Sequence, residues 1–294
     1  MRLFTTNEAA EYLRLKERKL YELVAEGQIP CTKVTGKWLF PKDELDQWLR
    51  STLVRPAGMA QAEPMPIVGG SHDPLLEWAL RESASGLATL PEGSEAGLRR
   101  FVQGELVAAA IHLHALDDES LDANVAAMRR EPNLHDAVLI GFVRREVGLV
   151  VAPHNPLNLS GITEVPKRGA RLAVRPAGSG AQLLLEALLA RAGITRSQVR
   201  LTSPVCPTGS DIAQSVRVGR ADCGIAVRAV ANAVGLDFVP ITWERFDLVV
   251  RQRHYFRPQL QTFIRFLKSD LIAAHAAEAG GYDIAGAGEV RFAP

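Results

Sequence analysis

A chain of 294 residues is too long for one small module and long enough for about two domains. Its content, 47% hydrophobic and 23% charged, is that of a globular protein and excludes a disordered chain, a collagen and a coiled-coil rod. Lys and Arg number 34 against 33 Asp and Glu, so any nucleic-acid footprint must be local. Cys31, Cys206 and Cys223 stand far apart, which speaks against a disulfide framework and a structural zinc site. The N-terminus lacks the apolar core of a signal peptide. No apolar run approaches the roughly 18 residues of a membrane span. The expectation is a soluble cytoplasmic protein with no membrane partner.

The first fifty residues read as one compact unit. Thr5 and Glu8 have the spacing of a capping box, and Ala9, Ala10 and Leu13 follow at helical spacing. A break at Arg14-Leu15 leads to a second helix, about Lys16 to Glu26, burying Leu20, Leu23 and Val24. Gly27 and Pro30 stop it. Cys31 to Phe40 predicts a hairpin turning near Thr35-Gly36, and Pro41 opens a third helix with Leu45, Trp48 and Leu49. Helix, tight turn, helix, hairpin, helix is the plan of a winged helix-turn-helix.

Thr5-x-x-Glu8-Ala9-Ala10-x-Tyr12-Leu13, Leu20-Tyr21-x-Leu23, Gly27-x-Ile29-Pro30 and Gly36-Lys37-Trp38-x-Phe40 together resemble the excisionase/MerR-like DNA-binding domain over residues 3–50. There are two departures. Lys16 stands where the family has a Ser cap, and Leu39 stands where the wing has a basic residue. The resemblance implies double-stranded DNA as a partner. In a helix-turn-helix, residues opening the second helix reach base edges or phosphates. The candidates are Lys16, Glu17, Arg18, Lys19 and Tyr21, with Lys33, Lys37 and Trp38 on the wing. Arg18 suits guanine; Lys16 and Lys19 suit the backbone. Ten basic residues oppose eight acidic ones in residues 1–55, a net charge of only +2. One such head binds weakly, so a homodimer or higher oligomer reading repeated half-sites is expected.

Residues 51–66, with three prolines and no periodicity, read as a semi-extended linker. From Ile67 short apolar runs alternate with helical stretches, which predicts α/β structure with largely parallel sheets. Strands are expected at Ala137 to Val143 and, separately, Gly148 to Ala152. Two series of this alternation suggest two lobes, about 67–167 with 245–294 and about 168–244. Phe246 to Val250 is the strand returning to the first.

Four Gly-Ser pairs stand where a strand hands over to a helix: Gly70-Ser71, Gly93-Ser94, Gly178-Ser179 and Gly209-Ser210. Free N–H groups and a hydroxyl there suit an anion beyond the strands' carboxyl ends. A serine before a helix is also an ordinary cap. Asp73-Pro74 is the better cap for its helix, which leaves Ser71 for other work.

Gly70-Ser71-His72-Asp73-Pro74, Gly93-Ser94-x-x-Gly97, Ala109 to Leu113, Gly148-Leu149-Val150, Asn155-Pro156, Gly178-Ser179-Gly180 and Val218-Gly219-x-Ala221-Asp222-Cys223-Gly224 resemble the periplasmic-binding-protein-like domain. More narrowly they are similar to the molybdate-binding-protein-like branch that is fused to DNA-binding heads. Arg175 matches that branch's pattern, whereas the Arg usual after Gly-Ser-Gly is missing. The resemblance implies a two-lobed type II clamp over 67–294 that closes on a small anion or metabolite. It assigns ligand contact to Ser71, His72, Ser94, His112, Arg175, Ser179, Gly180 and Asp222. Molybdate or tungstate is the expected effector, and no cofactor is expected. Arg175 can instead grip a carboxylate or form an ion pair. Asp222 also reads as a turn-ordering residue. His112-x-His114 with Asp117-Asp118 makes a metal pair conceivable, with plain cleft or surface roles as the other reading.

The whole chain then reads as a ligand-responsive transcription regulator: an α/β protein with a small N-terminal winged helix-turn-helix. The alternatives are an enzyme or transport-type binding protein on the same clamp, and an architectural excisionase-like DNA binder. No Gly-x-Ser-x-Gly elbow, His-Glu-x-x-His or Walker loop is present, so an enzyme is not expected.

Overall fold

The computed structural model describes residues 2–51, 63–113 and 122–293. The chain divides into two compact units, residues 1–61 and 62–294. Most of the linker (52–62), as well as His114, Asp117 and Asp118, lies outside the described residues.

The first unit runs β1 (Leu3–Thr5), α1 (Thr6–Tyr12), α2 (Glu17–Ala25), β2 (Thr32–Val34), β3 (Lys37–Pro41) and α3 (Lys42–Ser51). The capping box forms: the Glu8 N–H donates to the Thr5 hydroxyl, and the Glu8 carboxylate accepts from the Thr5 N–H at 2.8 Å. Arg14 takes a positive φ in the break between α1 and α2. Lys16 opens α2 without a side-chain cap bond, as its missing hydroxyl dictates. The hairpin turns at Thr35-Gly36, both at positive φ, and β3 pairs antiparallel with β2 and β1. Phe4, Ala9, Ala10, Leu20, Ile29, Phe40 and Leu45 form its core.

The second unit opens β4 (Met65–Gly70), α4 (Pro74–Glu82), β5 (Ala88–Pro91), α5 (Ser94–Val102), β6 (Leu106–Ile111), α6 (Ala123–Arg130) and β7 (Ala137–Val151). Then come α7 (Glu164–Lys167), β8 (Arg171–Ala173), α8 (Gly180–Arg191), β9 (Arg200–Leu201), α9 (Gly209–Arg217), β10 (Cys223–Val227) and α10 (Arg228–Asn232). The chain closes with β11 (Asp237–Arg251), α11 (Gln252–Tyr255), α12 (Pro258–Phe266), α13 (Asp270–Ala279), β12 (Tyr282–Asp283) and β13 (Val290–Phe292). The sheet order is β5-β4-β6-β11-β7-β10-β8-β9, with β12 and β13 on β7.

Two 15-residue strands, β7 and β11, pair antiparallel along their length and belong to both lobes. Val138 to Val143 and Phe246 to Val250 pack into the first-lobe core with Leu75, Leu76 and Phe263. Val147 to Val151, Leu159, Ile162 and Val165 pack into the second-lobe core with Leu172, Ile212 and Cys223. Three expectations change. The sheet is mixed: β4, β5 and β6 are parallel, as are β8, β9 and β10, while the crossing strands are antiparallel to their neighbours. Ala137 to Val143 and Gly148 to Ala152 are not separate strands. Arg144-Arg145-Glu146 interrupts the apolar run, but each of its charges is paired, so the strand continues through them. Residues 147–167 accordingly belong to the second lobe's core rather than the first's. The return crossing, at Glu244 to Phe246, lies where the change of core clusters puts it.

Candidate functional site

A cleft of about 420 Å³ lies between the lobes, at the carboxyl ends of their parallel strands. Such ends are where open α/β sheets take ligands. First-lobe residues Ser71, His72, Glu95, Arg99 and His112 line one wall. Arg175, Gly178, Ser179, Gly180 and Thr208 line the other, and Arg145 and Glu244 form the floor.

The first wall is held by close backbone packing. A Cβ on Gly97 would meet Gly70 Cα at 2.3 Å, so helix α5 starts directly against the end of β4. Asp73 caps α4, accepting from the Leu75 N–H at 2.8 Å. Ser71 is thereby released, and its hydroxyl lies 2.6 Å from that of Ser94. Ser94 does not line the cleft. It is 1% exposed, accepts from the His112 N–H at 3.1 Å and donates to the His112 carbonyl at 3.2 Å. Ser94 therefore positions Ser71 and His112 from behind. Its assignment as a direct contact is corrected: every hydroxyl valence is spent inside the lobe. The His72 ring lines the wall with its Nε2 3.2 Å from Glu77. His112 is buried, stacked on Phe246 and 4.0 Å from the Glu244 carboxylate.

On the floor Arg145 is 4% exposed. It donates to Glu244 at 2.5 Å and Asp73 at 2.7 Å, and its guanidinium stands 4.4 Å from the Phe246 ring centre. Burial alone would pull this guanidinium down, but the Glu244 and Asp73 carboxylates outweigh it and hold its pKa above the ordinary arginine value. Tyr282 donates to Asp73 at 3.1 Å, and burial followed by that carboxylate pushes its hydroxyl well up. Residue-type patterns missed Arg145 and Glu244. The available signal was a charged triplet inside a long β-branched apolar run, which needs buried partners if the strand is unbroken.

On the second wall Ser179 caps α8. Gly180 carries no Cβ for a plain reason: one would stand 2.0 Å from His112 Nε2 on the opposite lobe. The two lobes touch at this point. Arg175 donates to the Pro207 carbonyl at 2.8 Å, while its buried Nε–H has no acceptor. Burial lowers its pKa and the neighbouring Arg145 charge lowers it further, against a smaller opposing pull from the Asp211 carboxylate. No carboxylate pairs with it among the described residues. Ser210 is exposed and absent from the lining, since Thr208 and Asp211 make the cap of α9. Asp222 is also elsewhere. It accepts from the Arg171 backbone and guanidinium at 2.7 Å, a pair that lowers its pKa, and it orders the β8–β10 junction. Its assignment to the ligand is corrected on that ground. Of the eight residues assigned to the ligand, Ser71, His72, His112, Arg175, Ser179 and Gly180 come together in the cleft.

In the first unit, Arg18 is 92% exposed at the start of α2, with Glu22 at 3.4 Å. Lys19 also reaches Glu22, at 3.1 Å. Lys16, Glu17 and Tyr21 are exposed beside them. On the wing Lys33 lies over the Trp38 ring, 5.2 Å from its centre, and Lys37 is exposed. The eight residues assigned to DNA thus fall into two groups, one on α2 and one on the hairpin. Among the described residues no three His, Cys, Asp or Glu side chains gather as a metal site. No described helix is long and apolar enough to cross a membrane.

A family model described as a PBP superfamily domain matches residues 77–268. The chain belongs to the PBP superfamily. A helix-turn-helix domain model matches residues 3–52, so a DNA-binding head precedes a periplasmic-binding-protein-like domain of two α/β lobes. A relative, the uncharacterized protein YvgK of Bacillus subtilis (strain 168), is 24% identical over 302 aligned positions. That alignment covers 98% of this chain and 97% of the relative, and so runs through both units. Similar solved structures include a hydrogen-peroxide-bound OxyR variant of Corynebacterium glutamicum, with 14% identity and a TM-score of 0.49. It covers 92% of this chain and 91% of its own. The CcmR regulatory domain of Synechocystis PCC6803 in complex with 2-PG has 15% identity and a TM-score of 0.48, covering 71% of this chain and 94% of its own. Peb3 from Campylobacter jejuni has 13% identity and a TM-score of 0.46, covering 74% of this chain and 97% of its own.

Proposed function

We propose that the protein is a cytoplasmic, ligand-responsive DNA-binding regulator whose cleft receives a small molecule through that molecule's acidic group. One observation carries the reading. Among the described residues Arg175 lines the cleft with no carboxylate within ion-pair distance, and its buried Nε–H has no acceptor. A buried donor left unmet is costly, and an acidic ligand removes that cost. The cleft has the volume of a small-metabolite site. Molybdate or tungstate fits less well, because Ser94 and Ser210 do not contribute donors to the lining.

A ligand bridging the two walls favours the closed arrangement in which Gly180 meets His112. In a homodimer that bias changes the relative placement of two heads, and DNA and ligand then affect each other's binding equally. The test has two variants. Arg175→Gln loses one charge-assisted contact, about 1.5–3 kcal/mol, and binds a small acid that stabilises the wild type roughly 10- to 100-fold more weakly. Its DNA affinity in the absence of ligand stays unchanged. Arg18→Ala shows the reverse pattern on a genomic fragment selected by the full-length protein. Equal ligand affinity in wild type and Arg175→Gln would remove the cleft assignment. Unaltered fragment affinity in Arg18→Ala would remove that residue from the reading face.

A further inference from the structure

Helix α10 of the second lobe is held between two parts of the first. Val230 lines the cleft, across which stands the first-lobe wall of Ser71 and His72. Arg228 and Asn232, four residues apart, share another face of the helix. Val230 is two residues from each, so it is turned roughly 200° away from them. That far face meets residues 279–283, the segment that leaves α13 and becomes β12.

The fit there is close. The Asn232 amide donates to the Ala279 carbonyl at 2.8 Å. A Cβ on Gly280 would stand 2.7 Å from Asn232 Nδ2, and one on Gly281 would stand 2.6 Å from Arg228 Cβ. Ordinary contacts need about 3.5 Å, so not even a methyl group fits between the two surfaces. Neither surface is free to step back. Arg228 is paired with Glu146 of β7, and its guanidinium stands 4.5 Å from the ring centre of Phe238 in β11. The segment is fixed at both ends. Ile272 and Ala276 root α13 in the first-lobe core. The Glu146 N–H donates to the Gly281 carbonyl at 2.8 Å, Tyr282 and Asp283 pair antiparallel with β7, and the Tyr282 hydroxyl donates to first-lobe Asp73 at 3.1 Å.

From this sandwich we infer that residues 279–283 are a strap that limits how far the clamp opens. Parting the walls of the cleft moves α10 away from Ser71 and His72 and drives its far face into Gly280-Gly281. Two crossing strands, β7 and β11, make a hinge; the strap is a third crossing that stops it. The ligand-free protein therefore stays near the closed arrangement, and a ligand acts over a short travel. This concerns the motion of the lobes and is independent of the Arg175 reading and of which ligand the cleft takes.

The experiment is double electron–electron resonance on the full-length protein, dialysed free of small molecules. Spin labels are placed at two exposed positions, Glu82→Cys on α4 and Ala190→Cys on α8, in a Cys31→Ser background. Unlabelled protein is added in excess so that only pairs within one chain are read. Two variants release the strap. Arg228→Ala with Asn232→Ala trims the far face of α10. A few glycines inserted between Gly280 and Gly281 give the strap slack and leave every side chain in place. The wild type shows one narrow distance, and both variants broaden it and move its mean to longer values. The inference is overturned if the wild type already spreads over a broad range of distances. It is equally overturned if the slack variant, folded by a cooperative unfolding transition, keeps the wild-type distribution. Where the trimmed variant fails to fold, the slack variant decides; where neither folds, the width of the wild-type distribution decides alone.

Discussion

Gly180→Ala tests the contact between the lobes. The new Cβ would stand 2.0 Å from His112 Nε2, where an ordinary contact needs about 3.5 Å, a deficit of about 1.5 Å. The ring cannot simply step back, since it is 6% exposed and stacked on Phe246 with ring centres 5.7 Å apart. Overpacking of this kind costs about 1–3 kcal/mol. Alanine's helix propensity returns at most about 1 kcal/mol, and less at the first residue of α8. The net penalty of about 1–2 kcal/mol falls on the closed arrangement alone. Two readouts follow. Either the unfolding midpoint of the second unit drops by roughly 2–8 °C, or the lobes part and small-angle scattering reports a larger radius of gyration. His112→Ala removes the obstacle, so adding Gly180→Ala to it has little effect. That coupling separates a steric contact from a general effect on the helix. A Gly180→Ala protein with the wild-type midpoint and scattering profile would refute the argument that these two residues meet.

Two further outcomes are expected. Arg145→Met leaves Glu244 and Asp73 buried without their shared cation and costs about 3–5 kcal/mol of stability, measured by urea unfolding; a loss below about 1 kcal/mol would show that the floor is already solvated. Burial, followed by the charges of Arg257, Arg253 and Arg251, holds the pKa of His254 down to about 4 in the folded protein, against 6.5 as its ordinary value. The unfolded chain therefore binds the extra proton first, so stability is lost as pH falls from about 6.5 towards 4 and is level above that window. His254→Gln flattens this dependence in urea midpoints taken at pH 7 and pH 5, and equal slopes in both proteins would contradict it.

The head was legible residue by residue because its signals are local. Thr5 and Glu8 close their box across three residues, and Thr35-Gly36 turns the wing within two. In the clamp the same holds for Asp73, which caps α4 two residues on and releases Ser71. Arg175 and Gly180 were legible through the pattern around Gly178-Ser179. Ser94 was misplaced for the opposite reason. A Gly-Ser at a helix start says where the serine stands, not whether its hydroxyl faces the cleft or the backbone of His112 eighteen residues away.

The sequence alone thus determined the caps, the turns, the alternation of strand and helix and the two-part plan. Each of these depends on partners a few residues apart, which the chain order itself supplies. The tertiary structure decided which charges are compensated. Arg144-Arg145-Glu146 separates two expected strands until Glu244, 99 residues from Arg145, and Asp73, 72 residues from it, are brought alongside. Buried pairing makes an unbroken strand of a charged interruption. Arg175, two strands away, lines the cleft with no carboxylate within ion-pair distance among the described residues.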